Sequence, residues 1–414
     1  MEENRDLDVV IEAGKTLMES GAEIFRVEET MRHMARVMEI TEFDAYTVTG
    51  GIMSSGLNKD GERVSRVANV PVIKTHLGRL EAVNSLSRDL ERNGNPGADV
   101  IRKRIEEIRK IPDCRLIWFL MAYFCGAGCF AYAMGSSVID SIAAAVTGLI
   151  LGVVTYFIEK FIHTTFLINI IGSMLVTLVA NLFCYLGFGE KRSLIILGAF
   201  MIIVPGAVFV NSVREYSENN YATGTSHLMS ALLTSISMAV AVASVSKLFP
   251  FTDMLSENFA ESVGSPLQGA IRVIMAGFGT LAFAALYNAP LKYYPDLGLL
   301  GAGSWLVYLL ITEFWNQEVL GVFAAASFVS IGARILSVKR KCPMTMFLST
   351  SIFPLFPGIT LYRGIYFLLT GHQEVAYSFM KGSFLTAFMI ALAIALAKQF
   401  RLIPIAGHKR SKNK

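Results

Sequence analysis

The stretch that decides this fold is GAFMIIVPGAVFVN, residues 198–211, an apolar run interrupted by Pro205-Gly206. Proline removes a backbone donor and clashes with the preceding helical turn. Inside a membrane, such a break is tolerated only where protein or a water-filled cavity satisfies the freed backbone groups. The pattern recurs as IFPLFPGITLYR, residues 352–363, with Pro357-Gly358 at its centre. We interpret the chain as a transporter built around two interrupted helices.

Composition places most of the chain in a membrane. Of its 414 residues, 53% are hydrophobic and only 17% are charged, whereas about a quarter is charged in ordinary soluble proteins. This predicts a mainly α, polytopic membrane protein. Residues 1–115, which we call the head, hold most of the charge. The acidic start of the chain, residues 1–6, is followed by no apolar run, so we expect no signal peptide and a head that stays in the cytosol.

The head has the patterning of a small α/β domain. Helical spacing of apolar residues covers residues 6–20 and the following segment to residue 38. Residues 43–49, 52–57 and 63–67 alternate like strands, and two more helices are expected near 71–93 and 97–110. The basic residues that end the head are interpreted as the positive flank of the first span.

The remainder divides into two sets of five apolar segments. They lie near 116–135, 138–158, 162–187, 193–213 and 224–247, and near 268–288, 297–312, 318–337, 345–369 and 375–397. The two Pro-Gly pairs are 357 − 205 = 152 residues apart, and adding 152 to the first set gives starts close to those of the second. We therefore expect about ten transmembrane helices in two five-helix repeats, 116–250 and 268–400. An external connection, 251–267, joins them, and a basic cytosolic tail, 401–414, follows.

An odd number of crossings per repeat inverts the second repeat relative to the first. Inverted repeats are a recurring design of secondary transporters, which hold substrate near the midplane between the repeats. Basic residues favour the connections on the head side, among them Lys160, Arg214, Lys292 and the cluster 339–341. We expect a multi-pass protein of the cell membrane. By the positive-inside rule, both of its termini are expected in the cytosol.

Each Pro-Gly break predicts an anion site. A half-helix that begins at Gly206 or Gly358 presents unpaired N–H groups and the positive end of its dipole, which suits a carboxylate. Arg214 and Arg363 lie nine and six residues beyond Pro205 and Pro357 (214 − 205; 363 − 357), and the repeat aligns Arg363 with Asn211. The alternative for each arginine is a helix-end residue that reaches the lipid headgroups.

Proton coupling needs a titrating group, and four candidates lie in or near the spans. They are Glu215, His227, Asp140 and Glu159. Neither a catalytic motif, a nucleotide-binding loop nor a metal-ligand spacing is present in the sequence, so we expect a non-enzyme without cofactor or metal.

Two motifs resemble the threonine/serine exporter family. The head segment GAEIFRVEET, residues 21–30, leads by way of a strand to TGGIMSS, residues 49–55. Pro205-Gly206 followed by NSVRE, residues 211–215, is similar to the membrane signature, and Pro357-Gly358 with Tyr362 resembles the second component of the family's split members. The chain thus resembles a fused form. The resemblance implies that Arg26 and Glu28 in the head, with Asn211, Arg214 and Glu215 in the membrane, carry function.

The resemblance implies export of threonine and serine driven by the proton motive force. We expect a small carboxylate-bearing metabolite, protons and membrane lipid as partners, and no nucleic acid. A homo-oligomer is a further alternative. Dicarboxylate (succinate-like) export is an alternative, since two arginines suit two carboxylates. An alternative of another class is a membrane-tethered hydrolase, or a regulatory head on a membrane scaffold.

Overall fold

The computed structural model describes residues 5–70, 74–162, 164–249 and 264–399, and most of them are helical. Most of the expected external connection (251–267) and all of the expected basic tail (401–414) lie outside the described residues.

The head contains the helices and strands that its patterning predicts. They are α1 (Arg5–Glu19), α2 (Ile24–Val37), β1 (Thr41–Val48), β2 (Gly51–Leu57), β3 (Arg63–Asn69), α3 (Leu77–Asn93) and α4 (Ala98–Arg109). The strands form an antiparallel sheet in the order β1-β2-β3. Helices α1 and α2 pack on this sheet, and their apolar faces enclose a core separate from that of the remaining chain. Helical and two-residue periodicity therefore locate the elements well, because one face of each is less exposed than the other.

The rest of the described chain is a bundle of helices. They are α5 (Leu116–Ala133), α6 (Val138–Ile158), α7 (Thr165–Tyr185), α8 (Arg192–Phe200), α9 (Gly206–Ser217), α10 (Tyr221–Leu248), α11 (Pro266–Leu286), α12 (Tyr294–Trp315), α13 (Glu318–Arg340), α14 (Thr345–Ser351), α15 (Gly358–Leu369) and α16 (Gln373–Gln399).

Eight helices in the described ranges are long and apolar enough to cross a membrane, namely α5, α6, α7, α10, α11, α12, α13 and α16. Helix α14 and residues 353–369 make a ninth candidate if the pair, bent by 44°, counts as one span. The remaining expected span consists of the short helices α8 and α9. The expected number of about ten is thus not reached by continuous helices, because the two Pro-Gly segments are interrupted.

Glycines let the first helices approach closely. A Cβ at Gly148 of α6 would lie 2.6 Å from the Tyr123 carbonyl oxygen of α5, and one at Gly152 would meet the Tyr123 ring at 2.7 Å. These glycines allow α5 and α6 to pack closely, because no larger residue fits at this separation.

The head contacts the helical bundle at several connections. The backbone N–H groups of Leu77 and Gly78, at the start of α3, donate to the carbonyls of Tyr287 (2.8 Å) and Asn288 (3.1 Å), which follow α11. The Cys114 amide, just before α5, donates to the Asn288 side chain. The start of α5 and the end of α11 therefore lie together at the head.

Candidate functional site

The two Pro-Gly breaks meet inside the bundle. A Cβ placed on Gly206 would lie 3.2 Å from the Gly358 nitrogen, and one on Gly358 would lie 2.8 Å from the Gly206 nitrogen. Both glycines are buried. Glycine is required at each position, because any side chain would collide with the backbone of the opposite break.

Each proline directly precedes a new helix. Pro205 and Pro357 are the N-cap residues of α9 and α15, with similar backbone angles (φ −81°, ψ 41° and φ −81°, ψ 29°). The Pro357 carbonyl accepts hydrogen bonds from Thr360 Oγ1 (2.8 Å) and Ser383 Oγ (3.2 Å). Two half-helix N-termini, each with backbone donors that lack a partner in their own helix, therefore face each other.

Tyr362 lies next to this contact and is fully buried. Its ring packs edge-on against Phe200, the last residue of α8, with centroids 5.1 Å apart. The Tyr362 hydroxyl has no hydrogen-bond partner among the described residues. A buried hydroxyl without a partner costs about 1–3 kcal/mol, so this group is a candidate ligand contact.

The two predicted arginines have different surroundings. Arg363 is buried, and its guanidinium carbon lies 4.1 Å from the centroid of the Phe379 ring, a cation–π arrangement. Arg214 is buried at the other end of α9 from Gly206, where its Nη1 lies 3.1 Å from Glu23 Oε1 of the head. Asn211, which the repeat aligns with Arg363, is partly buried on α9.

Glu23 is bound by more than Arg214. Thr345 Oγ1 lies 3.2 Å from Glu23 Oε1, and Lys398 Nζ lies 3.7 Å from Glu23 Oε2. Burial raises the pKa of the Glu23 carboxyl, but the attraction of Arg214 and Lys398 outweighs it and holds this pKa below its usual value. Glu23 is therefore ionised at neutral pH.

Two of the proton-coupling candidates, Glu215 and His227, lie near Arg214, the partner of Glu23. Glu215 Oε1 lies 3.7 Å from Arg214 Nη2, and Glu215 Oε2 accepts a hydrogen bond from Asn220 (2.8 Å). His227 of α10 is near enough to Arg214 to interact electrostatically. The structure thus brings Arg214, Glu215 and His227 together.

The other two candidates lie elsewhere. Asp140 is buried in the first turn of α6, and its Oδ1 accepts hydrogen bonds from the backbone of Glu190 (2.8 Å) and Lys191 (3.2 Å). Asp140 therefore connects α6 to the loop before α8. Glu159, exposed at the end of α6, lines a cavity of about 150 Å³ with Asn169 and with Ile203, which belongs to the first break.

In the head, the two motif residues have contacts within their own domain. Arg26 pairs with Glu29 (3.3 Å). Glu28 accepts a hydrogen bond from the Thr47 amide (3.1 Å), which connects α2 to the end of β1, and it lies 3.8 Å from Arg32. Both residues thus have partners inside the head, and a functional role for either stays a prediction.

Sequence reasoning missed the residues that bind Glu23, and it named Glu23 only as part of a motif. One signal was available, because an arginine inside a membrane span needs an anionic partner. A carboxylate in the family-like head segment was a candidate for that partner. Thr345 and Lys398 gave no such signal.

The head has a cavity of its own, about 400 Å³, between α1, α4 and the β2–β3 turn. Its lining includes Asp6, Lys59, Asp60 and Asp99, without serine, cysteine or histidine. The ionisable side chains of this cavity are thus carboxylates and basic groups.

Comparison with known proteins identifies two family models in the chain. "Putative threonine/serine exporter" matches residues 8–249, and "Threonine/Serine exporter, ThrE" matches residues 272–400. The chain is 21% identical over 371 residues to the "Probable threonine/serine exporter" of Mycobacterium tuberculosis, covering 87% of this chain and 69% of that protein. It is 23% identical over 339 residues to the "Threonine/serine exporter" of Corynebacterium glutamicum, covering 79% and 68%. No solved structure matches.

Proposed function

Because the chain belongs to the threonine/serine exporter family, we propose that it exports threonine and serine from the cytosol, driven by the proton motive force. The observation that carries this proposal is the buried contact between Gly206 and Gly358. Discontinuous helices that meet in this way typify transporters that hold substrate between two structural repeats.

The proposal includes two inverted five-helix repeats, 116–250 and 268–400. The hydrogen bond between Cys114 and Asn288 supports this arrangement, because the first helix of one set begins where the first helix of the other set ends. Helices α9 and α15 then run from the central contact towards opposite membrane surfaces.

In this proposal residues 1–115 form a cytosolic α/β domain. Basic residues at the head support this placement. Lys292 pairs with Glu81 (2.8 Å), while Arg214 and Lys398 pair with Glu23. The positive-inside rule puts a surface enriched in lysine and arginine on the cytosolic side of the cell membrane.

For substrate, we assign the carboxylate to the half-helix N-termini and Arg363 when it lies at the central contact, and to Arg214 when it lies at the head end of α9. The Tyr362 hydroxyl is a further donor for it. Arg214→Ala and Arg363→Ala should each abolish threonine export from peptide-fed cells while the protein is still expressed. Normal export by both variants would contradict this assignment.

Transport itself is tested by counterflow in proteoliposomes with a panel of amino acids and dicarboxylates, with and without a pH gradient. We expect uptake of labelled threonine that serine inhibits and that a proton gradient accelerates. Inhibition by succinate but not by serine would favour dicarboxylate export. Absence of counterflow with every compound would contradict a transport role.

The central contact is tested by Gly358→Ala. The new methyl group would lie 2.8 Å from the Gly206 nitrogen and from Val204 Cγ1, and overpacking of this kind costs about 1–3 kcal/mol. We expect threonine export to fall strongly. The matched control is Gly382→Ala on α16, where an added Cβ has nothing within 4 Å. Equal export by the two variants would refute a role for the contact.

A further inference from the structure

Three donors from separate parts of the helical bundle converge on the Glu23 carboxylate. Arg214 belongs to α9, Thr345 begins α14, and Lys398 lies near the end of α16. Their donor atoms lie 3.1, 3.2 and 3.7 Å from the Glu23 oxygens. Arg214 lies in the region that matches the first family model, and Thr345 and Lys398 lie in the region that matches the second.

This arrangement is well shielded from water. The side chain of Arg214 is 7% exposed and that of Glu23 is 10% exposed. Taking both charges out of water costs several kcal/mol per ion. Only an anion that pairs closely with these donors offsets this cost, so the site selects such an anion. The buried Nε of Arg214 has no hydrogen-bond partner in the described part of the chain. One donor of the guanidinium is therefore still available to a ligand.

We propose that Arg214, Thr345 and Lys398 form a carboxylate-binding site that Glu23 occupies in this structure, and that the carboxylate of an exported amino acid replaces Glu23 when the head moves away. The proposal rests on the function proposed above and gives the head a role in it. Glu23 is a competitor attached to the same chain, and its presence closes the head side of the bundle.

An attached competitor lowers the apparent affinity for a free ligand. The apparent dissociation constant equals the intrinsic constant divided by the fraction of molecules whose site is open. If Glu23 fills the site in about 90–99% of molecules, its removal should strengthen ligand binding by about ten- to a hundredfold.

The test measures binding of acetate and of L-threonine to the purified full-length protein by titration calorimetry. Glu23→Gln removes the charge and keeps the size of the side chain. Glu29→Gln is the matched control, because Glu29 lies on α2, which begins directly after Glu23, and pairs only with Arg26 among the residues described. We expect Glu23→Gln to bind acetate at least tenfold more tightly than the wild type and Glu29→Gln to bind it as the wild type does.

A second substitution, in the helical bundle, tests whether the acetate binds at this site. Adding Arg214→Gln to Glu23→Gln should abolish the gain in acetate affinity. Glu23→Asp, which shortens the side chain and keeps its charge, should give an affinity between those of the wild type and Glu23→Gln. Unchanged acetate affinity in both Glu23 variants would overturn the proposal and leave Glu23 as a structural contact.

The acetate measurement separates this proposal from the proposed function. A gain in acetate affinity in Glu23→Gln, without threonine binding or transport, would support the site and refute threonine export. Threonine transport by the wild type without any gain in acetate affinity would support export and refute the site.

Discussion

Two of the contacts between the head and the helical bundle differ in chemistry. The ionic contact consists of Glu23 with Arg214, Thr345 and Lys398. The backbone contact consists of Leu77 and Gly78 with the carbonyls of Tyr287 and Asn288. Side-chain charges can be exchanged for those of a ligand, whereas backbone hydrogen bonds next to a short connection hold one geometry. In the exchange of carboxylates proposed above, the head would therefore move about the backbone contact while the ionic contact opens.

The largest expected loss of stability, which would weaken the ionic contact, comes from Arg214→Gln. It leaves the Glu23 and Glu215 carboxylates without their shared cation, and breaking a buried ion pair costs about 3–5 kcal/mol. We expect a large fall in the melting temperature of the purified protein and faster proteolysis of the head. Arg32→Gln is the control, since the exposed pair with Glu28 that it removes contributes about 0–1 kcal/mol. Equal losses in the two variants would contradict the special role of the ionic contact.

The backbone contact is tested by Asn288→Ala. The Asn288 side chain accepts a hydrogen bond from the Cys114 amide, and the residue has φ 52° in the left-handed region. Leaving a buried donor without partner costs about 1–3 kcal/mol. Asn288→Gly keeps the backbone angle and Asn288→Asp keeps the acceptor, so the loss of thermal stability should increase from Asp to Gly to Ala. A fully stable Asn288→Ala variant would contradict this account.

The two contacts should also differ in their response to pH. The His76 ring accepts a hydrogen bond from the Arg79 amide (3.1 Å) at the start of α3, and burial together with Arg79 lowers the pKa of His76. The unfolded state therefore binds its proton first, and stability from His76 is lost as pH falls below about 6.5. The carboxyl of Glu23 has a lowered pKa, so its contribution is complete above about 4.3 and declines only below that.

Between pH 8 and pH 5.5, the backbone contact should thus weaken while the ionic contact persists. Hydrogen exchange, corrected for intrinsic rates, should show reduced protection at residues 77–80 and unchanged protection at residues 23–27. His76→Asn keeps a capping acceptor without titrating, so it should remove the pH dependence. If protection fell at residues 23–27 at a higher pH than at residues 77–80, the ionic contact would be the pH-sensitive one and this prediction would be wrong.

The smallest expected effect belongs to Lys398→Met. The Lys398 side chain is 33% exposed and lies 2.7 Å from Glu218 as well as 3.7 Å from Glu23, and partly exposed ion pairs contribute about 0–1 kcal/mol. We expect a small fall in melting temperature that salt diminishes. Lys381→Met, an exposed lysine on the same helix, should have no effect. A loss comparable with that of Arg214→Gln would show that Lys398 is a principal partner of Glu23.

Much of this architecture follows from local patterns. The Pro-Gly pairs interrupt their helices where expected, because proline cannot continue the backbone ladder in any surroundings. The apolar segment at residues 297–312 predicts a shorter helix than the one that forms, because α12 extends from Tyr294 to Trp315. Pro295 is tolerated in its first turn, and aromatic residues at its end conceal the helical pattern.

The partners of the buried charges could not be obtained in the same way. Glu23 and Arg214 are 191 residues apart, and neither periodicity nor the 152-residue repeat indicates which surface of the head faces which helix end. The repeat aligns Arg363 with Asn211 rather than with Arg214, so it does not indicate the environment of either arginine. Arg214 pairs with a carboxylate and Arg363 lies over an aromatic ring.

The contact between Gly206 and Gly358 has a consequence for the evolution of cargo preference. The two halves meet through main-chain atoms, which are the same in every amino acid. Exchanging side chains at this point cannot adapt the centre to a bulkier or more acidic cargo, because no side chain is tolerated there. A change of cargo in this chain would therefore require substitutions at bordering positions such as Tyr362, with both glycines kept.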